Sequence, residues 1–130
     1  LRLMLDLRDK KMLSYLFITH DLSLAWLISD RIAIMYLGKI MELGEADEII
    51  HRGVHPYTQA LTTIMPRTGD YSKKERVLLA GETPNPTEDL RGCKFNSRCP
   101  LVHDLCFEKS PELLEISKGH LVACHLAHKL

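Results

Sequence analysis

The sequence predicts an α/β fold followed by a small, loop-rich unit that bears cysteines. The run SYLFIT at 14–19 is apolar on both faces, as in a buried strand of a parallel sheet, and a helical segment follows it at once. Two more strand-like runs and two short helices then extend to Pro66. Beyond Pro66 the chain is rich in loop-forming residues and contains all four cysteines. We therefore expect two parts, residues 1–65 and residues 66–130.

Helical periodicity is clearest on either side of the predicted strand. Residues 1–13 place apolar side chains at near-helical spacing with charges between them, which predicts the end of a helix. Residues 20–30 predict a second helix, with Asp21 as its N-cap. Strand, polar turn and helix in this order make half of a βαβ unit.

Two strands and two short helices are predicted next. The strands flank Leu37 and Gly38, and the glycine permits a tight reversal between them. The first helix starts with acidic residues and closes near Gly53. His55 and Pro56 begin the second helix, because proline at the first helical position removes no helical hydrogen bond. The segments are RIAIMY at 31–36, KIMEL at 39–43, GEADEII at 44–50 and PYTQALTTIM at 56–65.

The second part offers fewer regular segments. Residues 66–100 are predicted to be mostly loop, because prolines recur there. SPELLEISKGH at 110–120 predicts a short helix with Ser110 as its N-cap and Pro111 at its first position.

Composition excludes some classes of function. Lys+Arg and Asp+Glu number 17 each, so no global field draws the chain to nucleic acid or to a membrane surface. No apolar run reaches the length of a membrane-spanning helix. The first residue is Leu, and an amphipathic pattern is already under way there. We therefore expect this chain to be the tail of a longer protein.

A polar group of residues marks the end of the predicted buried strand. Thr19, His20 and Asp21 lie where that strand gives way to a helix. In open α/β sheets, ligands bind outside the carboxyl ends of the strands. A histidine there can donate to a phosphate oxygen while a neighbour fixes its other nitrogen. The same pattern also fits a histidine that only caps the helix or fills a surface turn.

The four cysteines form the second candidate site, and their spacing leaves several interpretations open. Two disulfides, a zinc site, an iron–sulfur cluster and four unrelated buried thiols all accommodate four cysteines. Zinc sites normally show C-x₂₋₄-C spacing, which this chain lacks, although histidines could supply nitrogen ligands. The cysteines are Cys93, Cys99, Cys106 and Cys124, and the histidines are His103, His120 and His125.

Nearly the whole chain resembles one family. YLFITHDLSLAWLISDRIAIMYLGKIMELGEADEII resembles the last third of an ABC transporter ATP-binding subunit, in which ITHDL is similar to the switch-histidine loop. HPYTQALTTIMPR, GETPNP, GCKFNSRCP and GHLVACHL resemble the C-terminal extension of the oligopeptide/dipeptide importer branch. The resemblance implies the C-terminal fragment of a P-loop ABC ATPase core over 1–65, followed by a cysteine-bearing extension over 66–130.

The resemblance also implies a chemistry and an assembly. His20 would contact the γ-phosphate of ATP, with Mg²⁺ present in the full-length protein. Members with these four cysteines are associated with a 4Fe–4S cluster, and Zn²⁺ is the alternative. The implied partners are a second ATP-binding subunit, identical or a sister chain, and transmembrane permease subunits. Nucleic acid is not an implied partner, and the implied location is the cytoplasmic face of the cell membrane.

Several motifs of an ABC ATPase are missing from these residues. The sequence contains no G-x-x-x-x-G-K-[ST] loop, no Asp-Glu pair after an apolar strand and no LSGGQ-like segment. We expect them to precede residue 1, so this chain alone should be inactive as a peptide-transporting ATPase. The alternative function is a free-standing, cysteine-rich, metal-binding interaction module without an ATPase role.

Overall fold

The computed structural model describes residues 1–65, 84–85 and 91–127. The chain there has the predicted mixed α/β character, but its strands all pair antiparallel. The elements are α1 (Arg2–Lys11), α2 (Leu22–Ile28), β1 (Arg31–Tyr36), β2 (Lys39–Glu45), α3 (Ala46–Arg52), α4 (Pro56–Thr63), a 3₁₀ turn (Asn96–Arg98), α5 (Leu105–Glu108), β3 (Leu114–Ser117) and β4 (His120–Val122).

The predicted hairpin of β1 and β2 is confirmed. Leu37 and Gly38 turn the chain with φ of 44° and 75°, as a two-residue turn of type I′ requires at both central positions. Glycine adopts this left-handed conformation without steric cost. Along β1, Ile32, Ile34 and Tyr36 are buried while the residues between them are exposed. This alternation shows that one face of the strand is covered.

The hairpin is part of a four-stranded sheet with the order β1-β2-β4-β3. β2 pairs with β4 through Glu42 opposite Val122 and Leu43 opposite Leu121. The predicted boundary at residue 66 lies outside the described residues. Segments from both sides of it share this sheet.

The helix predicted over 110–120 is wrong. β3 and β4 form a second hairpin over this range, with Gly119 at φ 76° in the turn. Ser110 and Pro111 are typical of a helix start, but pairing with β2 gives β4 a partner that no local signal reveals. Tertiary context overrides local propensity here.

The buried strand predicted over 14–19 is also wrong. No strand forms there, and the side chains of residues 14–18 are exposed, including Leu16 at 92% and Ile18 at 89%. A strand that is apolar on both faces is stable between parallel neighbours with helices covering it. The sheet in the described part of the chain is antiparallel and offers no such partner. Of the strand and helix predicted as half of a βαβ unit, only the helix forms.

The helices predicted within residues 1–65 all form, and local signals explain their starts. Asp21 caps α2 by accepting the Leu24 N–H at 3.0 Å. His55 caps α4 through Nδ1, which accepts the Tyr57 N–H at 3.0 Å, and Pro56 takes the first helical position. α3 ends at Gly53. Within the ranges given above, no helix has both the length and the apolar character to cross a membrane.

Two apolar clusters pack along the buried face of β1, and Tyr57 packs against both. The first packs the inner face of β1 against α3, with residues of α2 and α4 at its edge. The second joins the end of the β1–β2 hairpin to the cysteine segment. Members of the first are Ile32, Ile34, Ala46, Ile49 and Ile50, and members of the second are Tyr36, Met41, Cys93, Phe95 and Cys106.

Candidate functional site

His20 lies in a turn that hydrogen bonds hold on both sides. The Asp21 N–H donates to Thr19 Oγ1 at 3.0 Å, and Asp21 Oδ1 accepts the Leu24 N–H at 3.0 Å. The His20 side chain itself is exposed. An imidazole presented in this way can donate a hydrogen bond to a bound ligand or accept one from it.

A wide cleft of about 950 Å³ opens beside His20. Residues of α1, the segment 14–19, α2, β1 and α4 line it, and most of these side chains are apolar. Arg8, Asp30 and Arg31 add charged groups to the lining. None of the lining residues is a glycine, so the cleft contains no glycine-rich loop of the kind that cradles phosphates.

The helix that follows His20 is tied to α3. Trp26 Nε1 donates to Asp47 Oδ1 at 2.7 Å. The Trp26 ring also meets the His51 ring edge-on, with 5.2 Å between their centroids. Leu22 and Ala25 pack against the first apolar cluster. These contacts fix the direction in which α2 leaves the turn that contains His20.

The four cysteines are free thiols that come from three segments. Cys93 and Cys99 flank the 3₁₀ turn, Cys106 lies in α5, and Cys124 follows β4. The Cys93 N–H donates to the Cys106 carbonyl at 2.8 Å. Cys93 and Cys106 are buried in the second apolar cluster, and Cys99 packs against it. The first two thiol segments are therefore joined directly through their backbones.

Gly92 permits this close approach. Its φ is +71°, and a Cβ built there would lie 2.2 Å from the Cys106 carbonyl oxygen and 2.8 Å from Phe107 backbone atoms. Any side chain at this position would push the backbone of Cys93 away from α5. The glycine before the first cysteine is thus a requirement of the site's geometry.

Burial and mutual repulsion raise the pKa values of three thiols. The pKa of Cys93 is raised to about 11, mainly by burial and also by charges on the other three cysteines, while a hydrogen bond from the N–H of Phe95 opposes the rise. Burial likewise raises the pKa of Cys99 and of Cys124, against hydrogen bonds from the N–H groups of Leu101 and Leu126 respectively. Cys99 and Cys124 also feel the charge of Cys106.

Thiolates are the donors that soft cations prefer. Three of the sulfurs accept the backbone N–H of the residue two positions on, which is a way to stabilise thiolates. Buried thiolates without a cation are unfavourable, as the raised pKa values show. Among the residues that the structure describes, no three His, Cys, Asp or Glu side chains are grouped to hold a single metal ion.

The three histidines proposed as nitrogen ligands each have another contact. His103 Nδ1 lies 3.5 Å from Cys106 Sγ. His125 Nε2 lies 2.8 Å from the Lys109 carbonyl oxygen. His120 Nε2 lies 2.6 Å from Glu42 Oε1. Of these three histidines, His103 is therefore the one whose ring contacts a proposed cysteine ligand.

Sequence reasoning missed Glu42. This carboxylate is fully buried on β2 and accepts the N–H groups of Val54 and His55 besides contacting His120. Its position inside the apolar run KIMEL was the available signal, because a charged residue within a strand core needs a partner. Nothing in the sequence identifies a partner 78 residues away.

Known proteins resemble the chain over nearly all of its length. It is 46% identical over 128 residues to the oligopeptide transport ATP-binding protein AppF of Bacillus subtilis, which covers 97% of this chain and 39% of that protein. It is 43% identical over 124 residues to the dipeptide transport ATP-binding protein DppF of Haemophilus influenzae. This match covers 95% of this chain and 38% of that protein. The chain thus spans about two fifths of the length of these relatives.

One family description, "Oligopeptide/dipeptide transporter, C-terminal region", matches residues 41–106. That range runs from β2, through the helix α4, to the third cysteine. It therefore includes most of the second apolar cluster and the hydrogen-bonded pair of Cys93 and Cys106. The chain belongs to the oligopeptide/dipeptide transporter C-terminal region family.

Proposed function

We propose that this chain is the C-terminal part of an ATP-binding subunit that powers ATP-dependent import of oligopeptides or dipeptides. The observation that carries the proposal is the 46% identity to an oligopeptide transport ATP-binding protein over 97% of this chain. Residues 1–65 contribute to the nucleotide site, and residues 66–130 form the cysteine-bearing extension.

The proposed subunit works in an assembly. It pairs with a second ATP-binding subunit, identical or a sister chain, and with transmembrane permease subunits at the cytoplasmic face of the cell membrane. The equal numbers of basic and acidic residues, 17 each, are compatible with docking on proteins and give no attraction to nucleic acid.

His20 is the proposed contact to the γ-phosphate of ATP. Its side chain is exposed, and the hydrogen bonds of its neighbours Thr19 and Asp21 hold the backbone that carries it, which supports this role because a donor on a fixed backbone needs less reorganisation when charge develops on the transferred phosphoryl group. The phosphate-cradling loop and the Mg²⁺ ligands must come from residues other than these 130, since no such motif occurs among them.

Cys93, Cys99, Cys106 and Cys124 are the proposed ligands of one metal centre, a 4Fe–4S cluster, with zinc as the alternative. Cys93 and Cys106 share the second apolar cluster with Cys99 packed against it, and the Cys93 N–H donates to the Cys106 carbonyl, so these contacts support a shared thiolate site. A cluster takes one thiolate at each of four irons, so its ligands need not converge on a single point as zinc ligands do. When bound, such a group supplies the positive charge that buried thiolates need.

Replacing His20 by alanine in the full-length subunit tests the proposed function. We expect the His20→Ala variant to lose about 10²–10³ in kcat, since a hydrogen bond that strengthens in the transition state affects the chemical step. Nucleotide binding should stay near the wild-type value. Steady-state ATPase assays and calorimetric ATP titration measure the two quantities.

Lys39→Ala is the control, because Lys39 is an exposed side chain at the start of β2 and does not line the cleft beside His20. It should retain the wild-type kcat. An unchanged kcat in His20→Ala would show that His20 is a surface turn residue only, and equal losses in both variants would show that the loss is not specific to His20.

A further inference from the structure

Glu42 is a buried carboxylate that joins three segments of the chain. Its Oε1 accepts the Val54 N–H at 2.8 Å and lies 2.6 Å from His120 Nε2. Its Oε2 accepts the His55 N–H at 3.0 Å. The carboxylate and the imidazole are 0% and 3% exposed as residues. Because a buried carboxylate is stable only when donors surround it, this network ties β2, the start of α4 and β4 together.

The sheet register explains why Glu42 and His120 meet. Glu42 lies opposite Val122, and His120 is two residues before Val122, so it is the diagonal neighbour of Glu42 on the same face. Val122 on that face is fully buried. β2 and β4 are joined by two registered residue pairs, a short ladder. The side-chain contact therefore reinforces a short backbone ladder.

β4 leads directly to the fourth cysteine. The Ala123 N–H donates to the Met41 carbonyl at 2.8 Å, so β2 also holds the residue before Cys124.

We propose that Glu42, acting through His120, is the positioning residue for Cys124. It holds β4 on the β1–β2 hairpin, so that the thiol after β4 stays beside the other three. The inference rests on the proposed metal centre, because Cys124 is the fourth proposed ligand and Glu42 would position it. Linkage works in both directions, so a metal bound by Cys124 must also stabilise β4 against β2.

The Glu42→Gln variant tests this inference in the full chain, kept reduced and free of metal. Glutamine retains the size of the side chain but turns one acceptor oxygen into a donor, which must then face an N–H group or the imidazole. We expect iodoacetamide to label Cys124 at least about 10-fold faster than in the wild type, because breaking a buried pair frees the segment that it holds. Labelling of Cys93, measured by peptide mass spectrometry in the same sample, should change less than about 2-fold, because its backbone bond to Cys106 remains.

Two further variants sharpen the result. His120→Gln removes the other partner of the pair and should expose Cys124 to the same extent. It also keeps the inference testable if Glu42→Gln fails to fold. Glu45→Gln changes an exposed carboxylate on the same strand and should leave the labelling unchanged. Wild-type labelling of Cys124 in Glu42→Gln and His120→Gln would overturn the positioning role, as would equal increases at Cys93 and Cys124.

Metal loading gives an independent readout. After anaerobic reconstitution with iron and sulfide, or incubation with zinc, Glu42→Gln should retain less metal than Glu45→Gln. If the wild type takes up neither, the proposed metal centre fails, and the labelling experiment still decides the positioning role. Selective exposure of Cys124 supports that role, and a lack of selectivity overturns it.

Discussion

At the scale of single residues, Gly92 shows how one missing side chain makes the cysteine site possible. Its backbone lies so close to α5 that a Cβ would meet the Cys106 carbonyl oxygen at 2.2 Å. The sequence shows a glycine before Cys93, but the need for glycine there could not be predicted, because it arises from the contact with α5. Residue type and spacing mark His20 and the four cysteines as candidates, and their roles stay predictions. The contact between Glu42 and His120 depends on a strand register that the sequence does not encode locally.

Gly92→Ala should destabilise the protein by about 2–4 kcal/mol, from left-handed strain together with overpacking. Urea unfolding of the full chain measures this loss. Gly119→Ala is the matched control, because Gly119 has φ +76° but nothing within 4 Å of a built Cβ. It should cost about 1–2 kcal/mol from strain alone. Equal losses in the two variants would contradict the close approach of Gly92 to α5.

At the scale of elements, α4 depends on a histidine that must remain neutral. His55 is buried, and its Nδ1 accepts the Tyr57 N–H at the helix start, a role that the protonated ring cannot fill. Burial lowers the pKa of His55 from 6.5 to about 4. Between these two values the unfolded chain binds a proton that the folded chain does not, so stability falls as the pH decreases.

We therefore expect the free energy of unfolding to drop by roughly 3 kcal/mol through His55 as the pH falls from 6.5 to 4. The contribution is fully present above pH 6.5. His55→Asn keeps a side-chain acceptor at the N-cap but cannot titrate, so its stability should fall less steeply over the same range. Urea unfolding at pH 7 and pH 4.5 measures both proteins. Parallel losses in the two proteins would show that His55 does not carry this pH dependence.

The elements that could be predicted are those with local signals. Asp21, Gly38, Gly53 and Pro56 each mark a turn or a helix end, and the helices α2 to α4 and the first hairpin form where these residues indicate. The second hairpin could not be found in this way, since β4 is stabilised by pairing with β2. Residues 14–19 show the converse case, in which a strand-like composition lacks the parallel neighbours that it needs.

At the scale of the whole molecule, β2 connects the two candidate sites. On one side it pairs with β1, which follows α2 and the turn that contains His20. On the other side it pairs with β4, which leads to Cys124. A change at the proposed metal centre therefore reaches the hairpin through a shared strand and a buried carboxylate. In the proposed function, the cysteine extension stabilises the part of the chain that presents His20.

The iron, sulfide and zinc contents of the anaerobically purified full chain test most directly whether thiols from three segments close one metal centre. We expect about four irons and four sulfides per chain, as for a 4Fe–4S cluster held by four cysteines. Cys124→Ser should lose the cluster because no cysteine is spare, while His125→Gln, one position along the chain, should retain it. Colourless protein with stoichiometric zinc would contradict the cluster, and full iron content in Cys124→Ser would contradict the four-cysteine site.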